Sequence, residues 1–225
     1  MTGIAAGTDA AQLRALIAHH PDLFRLMYAF NYAPADYLHP ARQQQFLPLP
    51  LNQRIWETAR ARRPLSKLIL QQIGLAERPC FDPQQRTWPL ALLDRMRMLR
   101  LARHVGAVLL APQARRCVSR EEVLAWKERL TPSAYQFVMS SASLLPQVKA
   151  DAAIDENMSV EQLGFAWIAS SLDDAPDELL LRVRLKFPPL HTTLPLSRTR
   201  AAHVVHAVFS TLESKWISSC AAMRP

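Results

Sequence analysis

The sequence predicts a mainly α-helical protein, and three observations carry that assignment. Glycine is scarce, at 5 of 225 residues, whereas the 17 prolines sit largely between periodic apolar segments, where proline punctuates helices. Apolar residues recur at helical spacing through most of the chain. Ser119 with Glu122, and Ser159 with Gln162, have the spacing of a capping box at a helix start. Residues 1–225 therefore read as a single compact multi-helix domain of short, Pro-punctuated helices, with residues 1–20 as a loosely attached N-terminal helix. A small strand pair near residues 179–187 stays open as an addition.

Taken in order, the first helix is expected from Asp9 to His20, with Thr8 as N-cap and Leu13, Leu16 and Ile17 facing inward. A second, from Pro21 to Phe30, should bury Phe24, Met27 and Tyr28. Prolines 34, 40, 48 and 50 make the stretch from Phe30 to Pro50 irregular, pinned by Phe30, Tyr32, Tyr37 and Phe46. Two helices follow, Asn52 to Ala61 and Pro64 to Leu75, the latter stopped near Gly74, and Asp82 to Thr87 is a loop. The central helix starts at Pro89 behind Thr87, runs to Leu110 and breaks at Ala111-Pro112. Ser119 then opens a helix to Arg129, Thr131-Pro132 one to Leu144, and Ser159 one to Leu172. Between Asp177 and Phe187, apolar residues alternate with Arg182, Arg184 and Lys186 as in a half-buried strand. The start signature Pro176-Asp177-Glu178 favours helix there. The last helix, Arg198 to Ser218 behind Ser197, carries Val205, Val208, Phe209, Leu212 and Trp216 on one side.

The formal charge of +8 points to an acidic partner, whether nucleic acid, membrane surface or protein. Most of the cationic residues are arginines, whose forks suit carboxylates as well as phosphates. A GC-rich genome would enrich arginine without any functional reason. No apolar run approaches the roughly 20 residues of a membrane span. The first 20 residues lack the basic start and apolar stretch of a secretory signal, so the chain is expected to stay in the cytoplasm. Cys80, Cys117 and Cys220 are far apart and read as ordinary thiols. His19-His20 and His203 with His206 lack the carboxylates or cysteines of a metal site. No nucleophile motif accompanies Ser140-Ser141, Ser170-Ser171 or Ser218-Ser219. The expectation is a protein that is not an enzyme and holds neither metal nor cofactor.

The distinctive feature is the central helix. Between Arg95 and Arg120 lie seven arginines, both ends included, and no acidic residue. On a helical wheel Arg97, Arg100, Arg103 and His104 share a sector of about 120°. Leu90, Met98, Leu101, Val105, Val108 and Leu109 lie on the opposite side, and Leu92, Leu99 and Leu110 widen that apolar face. A helix of this kind is buried over most of its circumference and presents one basic ridge. Three readings stay open: a solvated face paired with nearby carboxylates, a docking surface for an acidic protein, or a nucleic-acid contact. The ridge has no interleaved aromatics for base stacking and no recognition-helix motif, which counts against the last.

Three segments, FNYAPADYLHP (30–40), LLDRMRMLRLARHVGAVLLAP (92–112) and RRCVSREEVLAW (115–126), precede an aromatic helix ending in LLP (144–146). Together with a later Trp-containing helix and RVRLKFP, they resemble the SctK family of type III secretion accessory proteins, the YscK, PscK and OrgA group. The resemblance covers roughly residues 28 to 190. It implies a cytoplasmic, non-enzymatic adaptor of the injectisome sorting platform. Members link the pod protein (SctQ family) to the forkhead-associated-like cytoplasmic domain of the inner-membrane ring protein (SctD family). The docking residues expected from the basic surface are Arg97, Arg100, Arg103, Arg115, Arg116 and Arg120. A basic helical nucleic-acid-binding regulator and a small secretion chaperone are the alternatives.

Overall fold

The computed structural model describes residues 11, 13–47, 52–82, 84–140, 158–189 and 197–221. Among them every regular element is helical and none is a strand. The α-helices are α1 (residues 13–19), α2 (Pro21–Tyr32), α3 (Pro34–Tyr37), α4 (Gln43–Phe46), α5 (Asn52–Glu57), α6 (Arg62–Gln72) and α7 (Trp88–Ala91). They continue as α8 (Arg95–Ala114), α9 (Arg120–Leu130), α10 (Pro132–Ser140), α11 (Val160–Ser171), α12 (Asp177–Arg184), α13 (Arg198–Leu212) and α14 (Ser214–Ala221). The chain divides into two compact units. One comprises Met1–Arg95, Ala175–Pro189 and Lys215–Pro225, the other Met96–Asp174 and Leu190–Ser214.

In the first unit α2 buries Leu23, Met27, Phe30 and Asn31. Tyr28, expected inside, is 53% exposed, and Ile17 of α1 is 44% exposed. The inward stripe runs at i, i+4 and i+7 from Leu23, which turns Tyr28 outward. There it meets Phe24 and Tyr32 in a row of aromatic contacts. The expected N-cap Thr8 lies outside the described residues. As far as Leu47 the stretch after Phe30 is not irregular, because Pro34 and Pro40 start α3 and a single 3-10 turn, Pro40–Arg42, before α4, while Pro48 and Pro50 lie outside the described residues. Asn31 anchors a distant loop: its Nδ2 donates to Met27 O and Cys80 O, and its Oδ1 accepts from Cys80 N at 2.8 Å. Helix α6 stops before Gly74, which adopts a φ of 71° that a side chain disfavours. Leu38, Phe46, Trp56, Leu65, Ile69 and Leu185 form a core cluster.

The segment 177–187 is helix followed by a turn, as its start signature favoured, and it buries charge. Arg182, 1% exposed, donates to the carbonyls of Asn31, Leu75 and Glu178. The Lys186 ammonium donates to Ala91 O at 2.5 Å and Leu93 O at 2.7 Å, and lies over the rings of Phe30 and Tyr37. Burial pushes the Lys186 pKa down to about 7, against the opposing pull of Asp94. Arg42 Nε donates to Phe187 O at 2.7 Å. Thus FNYAPADYLHP and RVRLKFP, far apart in sequence, meet through buried cations that saturate main-chain carbonyls.

The second unit is organised on α8, whose boundaries differ from expectation at both ends. Trp88–Ala91 is one separate turn, and the helix restarts at Arg95 behind Asp94, a residue type that favours the N-cap position. The carbonyls of Ala91 and Leu93, left without helical partners, are the ones Lys186 takes. At the other end α8 passes through Pro112 to Ala114. Proline there forfeits one ladder bond in the last turn, and Arg115 N resumes the ladder by donating to Ala111 O at 3.0 Å. Leu101, Val105, Val108 and Leu109 are all buried and Leu99 is half-buried.

Two glycines set the crossing of α8 with α11. A Cβ at Gly106 would stand 2.0 Å from Val160 O, and one at Gly164 would stand 1.8 Å from Ala102 O. Each glycine therefore lets one backbone lie directly on the other. Helix α11 also packs along α13. The capping boxes at Ser119 and Ser159 form as their sequences specify. In α9 only Leu130 is buried, and α10 ends at Ser140, so the expected extension to Leu144 falls outside the described residues. The last helix is split at Glu213 into α13 and α14.

Candidate functional site

The surface of α8 in the second unit follows from its wheel. With Met98, Leu101 and Val105 buried, the side carrying Arg97, Arg100 and Arg103 faces outward. Arg97 and Arg100 are exposed and Arg103 is partly so. The three line one open depression of about 310 Å³, together with Met96, Leu99, His104 and Ser133 of α10. The described part of the chain thus brings three of the six sequence-predicted arginines to one place.

Carboxylates of the same unit hold two of them. Arg103 Nε donates to Glu161 Oε1 at 3.0 Å, and Arg100 Nη1 lies 3.8 Å from Glu213 Oε1. Burial works against ionisation of Glu161, but its own backbone N–H and Arg103 hold its carboxyl below the ordinary value. Both arginines keep substantial exposure, with side chains 57% and 40% accessible, so each presents the remaining face of its guanidinium outward. These pairs orient the ridge more than they neutralise it. Exposed pairs of this kind contribute only about 0–1 kcal/mol to stability.

His104 departs from the expected ridge. It is 4% exposed, its Nδ1 lies 2.7 Å from Arg100 O, and its ring meets Phe137 edge to face. The carbonyl can only accept, so Nδ1 carries the proton. Burial lowers the His104 pKa, the Arg100 carbonyl opposes this, and Arg100 and Arg103 lower it further. His104 therefore serves as a neutral floor, joining α8 to α10.

The other three arginines lie apart from the depression. Arg115 Nη2 donates to Val138 O at 2.7 Å, tying the end of α8 to α10. Arg116 follows the helix end, and Arg120 is the first residue of α9; both are exposed. Met96, Leu99 and Ser133 were absent from the sequence-derived set. Met96 was legible in principle, since on the wheel it falls between Arg100 and Arg103, whereas Ser133 arrives from another helix.

Among the described residues no group of three His, Cys, Asp or Glu side chains is placed to hold a metal. His19, His203 and His206 are exposed. No helix of the described residues is long and apolar enough to cross a membrane. The arrangement is suited to contact: a row of guanidinium groups lines an open depression that Met96 and Leu99 line as well.

A family model described as YOP proteins translocation protein K (YscK) matches residues 26–210, more than four fifths of the sequence. Searches of curated proteins and of solved structures return no significant match.

Proposed function

The chain belongs to the YscK family of type III secretion proteins, and from that premise we propose that it is a non-enzymatic adaptor of the injectisome's cytoplasmic sorting platform. It links the SctQ-family pod protein to the cytoplasmic domain of the SctD-family ring protein, and so works at the cytoplasmic face of the inner membrane. One observation carries the proposal: Arg97, Arg100 and Arg103 stand in a row on a largely buried helix and line one depression together with Met96 and Leu99. Arginine and methionine are enriched at protein interfaces, and a row of fixed positive charge steers and registers an acidic partner. Arg116 and Arg120 extend the same sign of charge, while Arg115 is committed in part to Val138.

The test is charge reversal at Arg97, Arg100 and Arg103 to Glu together. The fold should survive, because the residues are exposed or half-exposed and their ion pairs contribute little. Binding should fall sharply, since each reversal sets like charges face to face at a cost of several kcal/mol. Cells carrying the variant should make the protein yet fail to assemble pods and fail to secrete. Normal secretion, with the triple variant still recovered with both pod and ring proteins, would reduce the ridge to solvated surface.

A further inference from the structure

We propose that the depression beside the ridge seats an acidic segment of a partner protein, which sets carboxylates on the arginines and packs one large apolar side chain against Met96 and Leu99. The inference rests on the adaptor reading and adds the chemistry of the docked segment.

Three observations converge. First, the depression has an apolar part: Met96 is 71% exposed and Leu99 is half-buried, and both line it together with the arginines. At 100° per residue Met96 lies about 40° from Arg100 and about 20° from Arg103, one residue before Arg97, so the methionine adjoins the charged row. An unbranched, polarisable side chain there adapts to an incoming apolar group. A phosphate backbone or lipid headgroup would engage the guanidiniums and leave Met96 in water. A protein segment uses both.

Second, the charges are positioned in advance. Glu161 and Glu213 hold Arg103 and Arg100 from one side, and each arginine keeps an open side toward solvent. A partner carboxylate completes the second edge of a guanidinium that has already lost part of its rotamer freedom. No acidic residue of the chain occurs between Arg95 and Arg120 to compete for it locally.

Third, the charges span a fixed length. Arg97 and Arg103 are separated by about 9 Å of rise along α8, and Met96 and Leu99 flank the Arg97 end of that span on the side toward Arg103. The docked segment therefore carries acidic residues over about that length, with a large apolar residue beside them.

The experiment places the photo-cross-linker p-benzoylphenylalanine at position 96 of the full chain in secreting cells and maps its adduct by mass spectrometry. In parallel, Met96→Asp and Met96→Leu are compared with the triple arginine reversal in pull-downs with purified pod and ring proteins. The adduct should fall on a pod or ring segment of the stated pattern. Met96→Asp should weaken capture roughly tenfold or more, as for a central interface residue, while Met96→Leu binds within about threefold of the parent. If the triple reversal abolishes capture but Met96→Asp binds like the parent, the adaptor reading stands and the seat is wrong. Adducts confined to nucleic acid, lipid or a non-acidic protein segment overturn the inference, as does the absence of any adduct.

Discussion

Replacing Gly164 by alanine probes the packing that carries the arginine ridge. The added Cβ would lie 1.8 Å from Ala102 O, 2.5 Å from Ala102 C and 2.8 Å from Ala102 Cα, all main-chain atoms with no rotamer to yield. Even a close C–H···O contact needs about 3.3 Å, so α8 and α11 must separate by roughly 1.5 Å. A gap of ~0.5–1 Å already forfeits a quarter to a half of each contact's dispersion energy. Leu101, Val105, Leu163 and Ile168, all buried in this unit, would lose part of theirs. Overpacking of this kind costs about 1–3 kcal/mol or more, and here rigid backbone places it at the upper end. Alanine's better helix propensity returns about 1 kcal/mol. The net expectation is a loss of about 2 kcal/mol, or a fall in Tm of about 4–8 °C for a chain of this size. Urea unfolding followed by far-ultraviolet circular dichroism measures it. Gly106→Ala should behave alike, its Cβ meeting Val160 O at 2.0 Å. In the double variant the second substitution should cost less than the first, because one separation relieves both clashes. Unchanged or raised stability of Gly164→Ala would refute the direct backbone crossing.

Four further outcomes follow from the geometry. Leu101→Ala should cost about 2–5 kcal/mol in the same unfolding assay, since the side chain is 1% exposed. Thr131, at φ 66° and ψ 148°, occupies a region that essentially only glycine favours, so Thr131→Gly should stabilise by about 1 kcal/mol. Lys186→Met should destabilise by about 2–4 kcal/mol at pH 6, because Ala91 O and Leu93 O lose their buried donor. The lysine also confers a pH dependence: unfolded it binds a proton up to its ordinary pKa of 10.5, folded only to about 7. Stability relative to Lys186→Met should therefore rise between pH 7 and 10, by up to about 1.4 kcal/mol per unit, with a flat difference contradicting the buried cage.

Much of the fold was legible because helix starts are written locally. Ser119 with Glu122 and Ser159 with Gln162 specify their boxes through side-chain to main-chain bonds spanning three residues, and both form. What failed depends on distant partners. Pro112 looked like a break, yet buried Leu109, Leu110 and Ala114 hold the last turn of α8 in place. Trp88–Ala91 separates from α8 because the carbonyls freed at that break find the ammonium of Lys186, more than ninety residues on. The alternation of Arg182, Arg184 and Lys186 with apolar residues implied a wet face, but Arg182 and Lys186 turn inward to carbonyls that only the folded chain assembles. On the candidate surface the wheel located Arg97, Arg100 and Arg103 outward correctly. It placed His104 among them, because nothing local announces that Phe137 of α10 covers that side. The depression needed α10 as well as α8, so Ser133 was out of reach of any single-helix pattern.

In the proposed role this chain bridges the pod and ring proteins, and mass photometry of purified components tests that role most directly. The pod protein and the cytoplasmic domain of the ring protein, mixed at equal concentration, should give only their separate masses. Adding the chain should produce a ternary species containing all three, and the Arg97, Arg100 and Arg103 reversal should remove it while the folded variant stays monodisperse. A pod–ring complex of equal abundance without the chain, or pairwise complexes that never combine into a ternary one, would contradict the bridging role.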